Sequence, residues 1–168
     1  MFDPSRLGLG PSPKPFFLYV STEHSPTGWH GWDHASAEPV VVDWPAVTGY
    51  VRRVEVVERE RRGEMKAKLD VHVAAGPRNF VVEAGLTTHF SRGVLSALVR
   101  LQPEHFAYPL TLAVEPGDRE AKVVFGNVYN ATNGGEIRGS AQARDEDPAE
   151  LVRRVQAAIE EGSRHPAS

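Results

Sequence analysis

The amino-acid sequence predicts a mainly β, α+β protein: five strands with one helix between the third and the fourth. Three observations predict it. Met65, Ala67, Leu69, Val71, Val73 and Ala75 alternate with Lys66, Lys68, Asp70 and His72, the period-2 signature of a strand with one buried face. Further β-branched runs occupy Val47–Glu60 and Ala121–Tyr129. In the middle of the chain, Val94, Leu95, Leu98 and Leu101 recur at helical spacing.

Residues 1–45 carry Pro4, Pro11, Pro13, Pro15, Pro26 and Pro39, and read as an N-terminal extension with up to two short strands, Phe16–Val20 and Val40–Val42. In the first regular strand, Val47, Gly49 and Val51 share one parity while Val54 and Val56 take the other. A phase change of that kind is a β-bulge, placed near Arg52-Arg53. Arg59–Gly63 reads as a charged turn, Met65–Ala75 as the second strand, Gly76-Pro77 as a turn and Asn79–Ala84 as the third strand. Thr87 or Thr88 caps the helix, and Pro103 ends it. Pro109–Glu115 and Ala121–Tyr129 follow as strands, with Pro116-Gly117 between them. In the last strand Val123, Phe125 and Tyr129 share one face, Val124 and Val128 the other. Residues 46–138 form the domain. Residues 139–168 are a polar linker and a C-terminal helix, capped by Asp147 with Pro148 at its first position, whose stripe is Leu151, Val152, Val155 and Ile159.

With 168 residues, 40% hydrophobic and 24% charged, the chain suits one core. The absence of cysteine excludes disulfides and thiolate metal or redox sites. No apolar run approaches 18 residues, and Met1-Phe2-Asp3-Pro4 lacks the basic and apolar regions of a secretory signal. The expectation is a cytoplasmic protein without membrane contact. Net charge is −3, unevenly spread: residues 1–45 hold 2 basic and 5 acidic side chains, 46–138 hold 13 and 11, and 139–168 hold 4 and 6. The middle is mildly basic between acidic flanks. Because salt screens charges beyond roughly 8–10 Å, local field outweighs the total for an anionic ligand.

The element order, with a bent first strand, resembles the OB-fold over about residues 46–130. The likeness rests on that order and on stretches such as Val47-Thr48-Gly49-Tyr50-Val51 and Lys122-Val123-Val124-Phe125-Gly126-Asn127-Val128-Tyr129. The chain looks like the single-stranded DNA-binding proteins of bacteria, phages or plasmids. The resemblance implies a five-stranded OB-like barrel whose second and third strands bind oligonucleotides. The 45-residue extension and the C-terminal helix, ending in His165-Pro166-Ala167-Ser168, depart from that pattern.

Sequence-neutral binding of a single strand needs cations along the phosphates and flat rings under the bases. Lys66, Lys68 and His72 point away from the core by alternation. Tyr50, Arg52 and Arg53 flank the bulge, and Arg59, Arg61 and Arg62 sit at the turn. Arg78 and Phe80 open the third strand, and Lys122, Phe125 and Tyr129 lie on the fifth. A plainer reading makes Arg59–Arg62, interleaved with Glu58, Glu60 and Glu64, a solvated hairpin tip. It makes Phe80, Phe125 and Tyr129 packing residues.

The extension holds a second cluster, Trp29-His30-Gly31-Trp32-Asp33-His34, preceded by His24. Trp29 and Trp32 are further stacking candidates, or anchors pinning the extension to the domain. On a helix, His30 and His34 with Asp33 or His24 would imitate a zinc site, but Gly28, Gly31, Pro26 and Pro39 oppose a helix there. Catalytic signatures are scarce. There is no GxSxG, P-loop or GxGxxG motif, Asp118 and Glu120 sit in a turn, and His89 and Ser91 belong to a helix start. The expected function is non-catalytic binding of single-stranded DNA, or RNA, in replication, recombination or repair, by a homo-oligomer without cofactor or metal. The rival readings are a protein-interaction or assembly module, and a small-ligand or metal-dependent enzyme using the His24–His34 region.

Overall fold

Prolines and glycines break the start of the chain into short extended pieces, and these form β1 (Phe16–Val20), β2 (Trp29–Asp33) and β3 (Glu38–Val41) in a computed structural model that describes residues 7–9, 14–117 and 122–164. Ala121 at the expected start of the last long strand, the acidic pair Asp118 and Glu120, and the tail from His165 lie outside the described residues. The regular segment then gives β4 (Ala46–Arg61), β5 (Glu64–Ala75) and β6 (Arg78–Gly85). After α1 (His89–Leu98) and a 3-10 turn at Pro103–Ala107 come β7 (Leu110–Pro116), β8 (Val124–Asn130) and the two-residue β9 (Glu136–Ile137). Helices α2 (Ala141–Asp145) and α3 (Pro148–Arg164) end the fold. No helix among the described residues is long and apolar enough to cross a membrane.

The protein is mainly β, with one mixed sheet in the order β3-β2-β1-β6-β5-β4-β7-β8-β9. Every pairing is antiparallel except β1 on β6. Among the described residues nine strands stand in place of the expected five with up to two short ones before them, and they do not close into a clear barrel. The reason is at β6: its second edge is taken by Phe16–Tyr19 of β1, so β8 pairs instead with β9. The stretch read as an extension supplies three strands and two core side chains, Leu18 and Trp29. Burial of each is worth roughly 2–3 kcal/mol.

The bulge falls where the phase change places it. Pairing runs from Tyr50–Ala74 through Val51–Val73 and resumes at Arg53–His72, leaving Arg52 extra. Val47, Gly49 and Val51 before it and Val54 after it are all buried. At the other end the turn is tighter than Arg59–Gly63. Arg62 and Gly63 alone form it, with φ of 53° and 78°, the left-handed pair of a two-residue hairpin. Arg59 and Arg61 are therefore strand residues.

Helices cover one face of the sheet. Thr88 caps α1, its hydroxyl accepting from the Ser91 amide, and Phe90, Val94, Leu95 and Leu98 enter the core. The stripe Leu151, Val152, Val155 and Ile159 of α3 packs into the same core. Helix α3 also repairs the bulge: Gln156 Oε1 accepts from the Val54 amide at 2.9 Å. Replacing Gln156 with alanine strands that partly buried N–H. It should lower stability by about 1–2 kcal/mol in urea unfolding, with Gln156→Glu, which keeps an acceptor, losing less.

Candidate nucleic-acid interface

The strand registers decide which side chains share the sheet face opposite the helices. On β4 these are Tyr50, Arg53, Glu55, Arg59 and Arg61, and on β5 Lys66, Lys68, Asp70 and His72. On β6 they are Val81 and Glu83, on β1 Phe17 and Tyr19, and on β2 His30 and Trp32. Of the sixteen residues expected to bind, this face gathers Tyr50, Arg53, Arg59, Arg61, Lys66, Lys68, His72 and Trp32, with Arg52 at the bulge beside them. Two hollows mark it. One, of about 580 Å³, lies between β1, β2 and the β4–β5 hairpin and is lined by Phe17, Tyr19, His30, Trp32, Arg59, Arg61 and Lys68 among others. The second, of about 450 Å³, lies by the bulge against Arg52, Arg53, His72 and Phe80.

Rings and cations interleave on this face. Phe17 and Tyr19 stack with centroids 5.7 Å apart, the Arg59 guanidinium lies 5.9 Å from the Phe17 ring centre, and that of Arg52 lies 4.7 Å from the Tyr50 ring centre. Trp32 is 37% exposed and Tyr50 36%, enough for each to offer part of a ring face.

Beneath the rings runs a polar row across five strands: Glu55 pairs with Asp70, Asp70 with Glu83, Glu83 with Tyr19 and Tyr19 with His30. Arg59 forks over it, with Nη2 3.4 Å from Asp70 Oδ2 and Nε 3.3 Å from Glu83 Oε2. The hairpin-tip reading of Arg59 is thus corrected: its guanidinium folds back onto the sheet. Burial, hydrogen bonding with Glu83 and the charge of Glu83 push the Asp70 carboxyl up to about 8, against the pull of Arg59. Asp70 and Glu83 bond to each other only with a proton between them; with both ionised, Asp70 Oδ1 has no partner. His72 Nε2 and Glu55 Oε2 are 2.6 Å apart.

The remaining candidates lie elsewhere. Trp29 is 1% exposed and its indole N–H donates to the Trp44 carbonyl at 2.8 Å, so it is an anchor and not a stacker. Phe80 takes the core parity and meets Phe16 edge-on at 6.0 Å. Arg62 is in the turn and Arg78 at the exposed start of β6. Phe125 and Tyr129 belong to β8, three places along the sheet from β5, and Lys122 lies in the turn just before it. There Val124, Gly126 and Val128 are the buried residues, and Phe125 stays outside beside His89 at 5.6 Å. In the extension, His30 is on a strand and its ring meets His24 edge-on at 4.8 Å. Among the described residues, the one group of three with ligand atoms close enough for a metal is Glu55, Asp70 and His72, not the His24–His34 set. Sequence reasoning missed Phe17 and Tyr19. Their signal was present: they alternate with the buried Leu18 as half-buried positions on the opposite face.

A scan of family models, a search of curated proteins and a search of solved structures find nothing that matches this chain.

The buried His30 ring has its pKa lowered, first by burial and then by His24, and its Nδ1 has no partner. Between its folded and unfolded pKa values the unfolded chain binds the proton and the folded one does not. The stability His30 contributes is therefore intact above its ordinary value near 6.5 and is lost as pH falls below it. Thermal melts from pH 7.5 to 5 should show a shallower acid loss for His30→Gln than for the unaltered chain.

Proposed function

We propose that this face binds single-stranded nucleic acid with little sequence preference and without catalysis, the strand running over β5 and β6 and into the hollow beside Trp32. The observation that carries the reading is that the rings of Tyr50, Phe17, Tyr19 and Trp32 share one side of the run β2-β1-β6-β5-β4 with Arg53, Arg61 and Lys68, and with Arg52 at the bulge beside them. Cations follow phosphates and rings stack on any base, each stack being worth roughly 1–3 kcal/mol. The order β6-β5-β4-β7-β8, with a helix between β6 and β7 and a bulge in the first of these five strands, supports an OB-like unit within the larger sheet. In OB-folds the second and third strands carry the ligand, and here those are β5 and β6. A role in replication, recombination or repair, on DNA or RNA, belongs to this reading.

Among the described residues no ion pair engages Arg52, Arg61 or Lys68, whereas Arg53, Arg59 and Lys66 each pair with a carboxylate. About three phosphates neutralised by the unpaired cations gives a salt slope of about −2 in log K against log salt, at about −0.7 per phosphate. Oligo-dT should quench the tryptophan emission at low salt, with reversal on adding salt, and Trp32→Phe should remove most of the signal. Tyr50→Ala and Trp32→Ala should each weaken binding roughly 5- to 100-fold for every sequence tried. Unaltered dissociation constants in both would remove the face from the reading.

A second reading, assembly with another copy of this chain, is favoured by the edge strand β3, where Val41 is 58% exposed and nearby Trp44 78%. An unpaired edge of that kind is a template for strand addition. Sedimentation of the unaltered chain should show a dimer or larger species that Val41→Lys returns to monomer.

A further inference from the structure

Three carboxylates face one another across adjacent strands, Glu55 opposite Asp70 and Asp70 opposite Glu83. Like charges set directly opposite on one sheet face repel, and here two of the three side chains are almost fully buried, at 3% and 8% exposure for Asp70 and Glu83. Arg59 answers Asp70 Oδ2 and Glu83 Oε2, and Arg53 answers Glu55 Oε1. Asp70 Oδ1 is left unpartnered in the interior. His72, two positions along β5 on the same face, brings Nε2 to 2.6 Å from Glu55 Oε2. Glu55, Asp70 and His72 each present one ligand atom within 4.8 Å of the other two.

We propose that Glu55, Asp70 and His72 bind a divalent transition-metal ion, Zn²⁺ or Mn²⁺. Ligands about 2.0–2.2 Å from one ion stand roughly 3–4 Å apart, so the site forms when the close His72–Glu55 contact opens by about half an ångström. Two carboxylates with an imidazole select zinc or manganese over calcium or magnesium, which prefer oxygen ligands throughout. Arg59, holding the other Asp70 oxygen, keeps that carboxyl oriented towards the site, as outer partners of metal ligands do. Three protein ligands leave a coordination position for water or an anion. The inference stands apart from the nucleic-acid reading, because its test contains no nucleic acid.

The experiment is calorimetric titration of the full chain, freed of metal by chelator, with zinc chloride and with manganese chloride. One ion per chain should bind. His72→Ala, Asp70→Asn and Glu55→Gln should each weaken binding at least tenfold while circular dichroism stays unchanged. The double variant His24→Ala with His34→Ala should bind as the unaltered chain does. Electron paramagnetic resonance of bound Mn²⁺ should show imidazole nitrogen coupling that His72→Ala removes. Failure of both ions to saturate would mean that a proton shared by Asp70 and Glu83 already meets the charge, and would overturn the proposal. So would binding that survives all three ligand variants, or that only the His24 and His34 variant abolishes. Should one ligand variant fail to fold, the other two and the nitrogen coupling still decide.

Discussion

One extra residue in one strand organises this molecule. Were Arg52 to pair in a regular ladder with no bulge, β4 would keep a single parity for sixteen residues, and Val54 would turn outward where Val51 turns in. The bulge lets both face the core, and it separates the two ends of β4 so that Ala46–Gly49 can pair with β7 while Tyr50–Arg61 pairs with β5. The same shift puts Tyr50 and Arg53 on the face that Glu55, Arg59 and Arg61 occupy further on. Its cost is a backbone amide without a ladder partner. Helix α3 meets that cost through Gln156, which ties the last helix to the geometry of the strand carrying most of the cations.

A second constraint is the parallel pairing of β1 with β6. It occupies the edge that a closed barrel would use, and it brings Phe17 and Tyr19 into register with Val81 and Glu83. Phe17, Tyr19 and Trp32 come from the first 33 residues, whereas Tyr50 and the cations come from β4 and β5, and the hollow beside Trp32 is lined from both parts of the chain. Trp29 makes the junction firm: its ring lies in the core, and its N–H is spent on the Trp44 carbonyl, so β2 cannot lift away without exposing both.

These two constraints also explain what was legible in the sequence. Strands β4 to β8, the bulge, helix α1 and the stripe of α3 follow from patterns a few residues long, because alternation and capping are local. The tight turn at Arg62-Gly63 was blurred by the charges around it, which read as a loop although they continue two strands. Strand β2 was hidden because Trp29-His30-Gly31-Trp32 holds no β-branched residue and its strand character comes from pairing with β1 and β3. The β1–β6 contact joins residues more than sixty apart, and no local pattern announces it. The site divided the same way. Alternation alone places Lys66, Lys68 and His72 on the outer face, whereas for Trp29 and Phe80 the sequence leaves stacking and packing both open, because an aromatic ring gives no sign of which face its neighbours will seal.

The acidic row sets the character of the face. A surface meant only to attract a polyanion would not bury Asp70 and Glu83 beneath its arginines. Arg59, held by both carboxylates, is drawn out of competition for phosphate and becomes a brace between β4, β5 and β6. Attraction is then left to cations nearer the rim, Arg52, Arg61 and Lys68, while rings provide contact that salt does not screen. On the proposed reading, such a face would hold a strand by stacking more than by charge, consistent with a chain whose net charge is −3. With Glu55, Asp70 and Glu83 all ionised, Arg53 and Arg59 would leave the row one negative charge in excess and Asp70 Oδ1 unmatched, and a proton or a cation there offsets it.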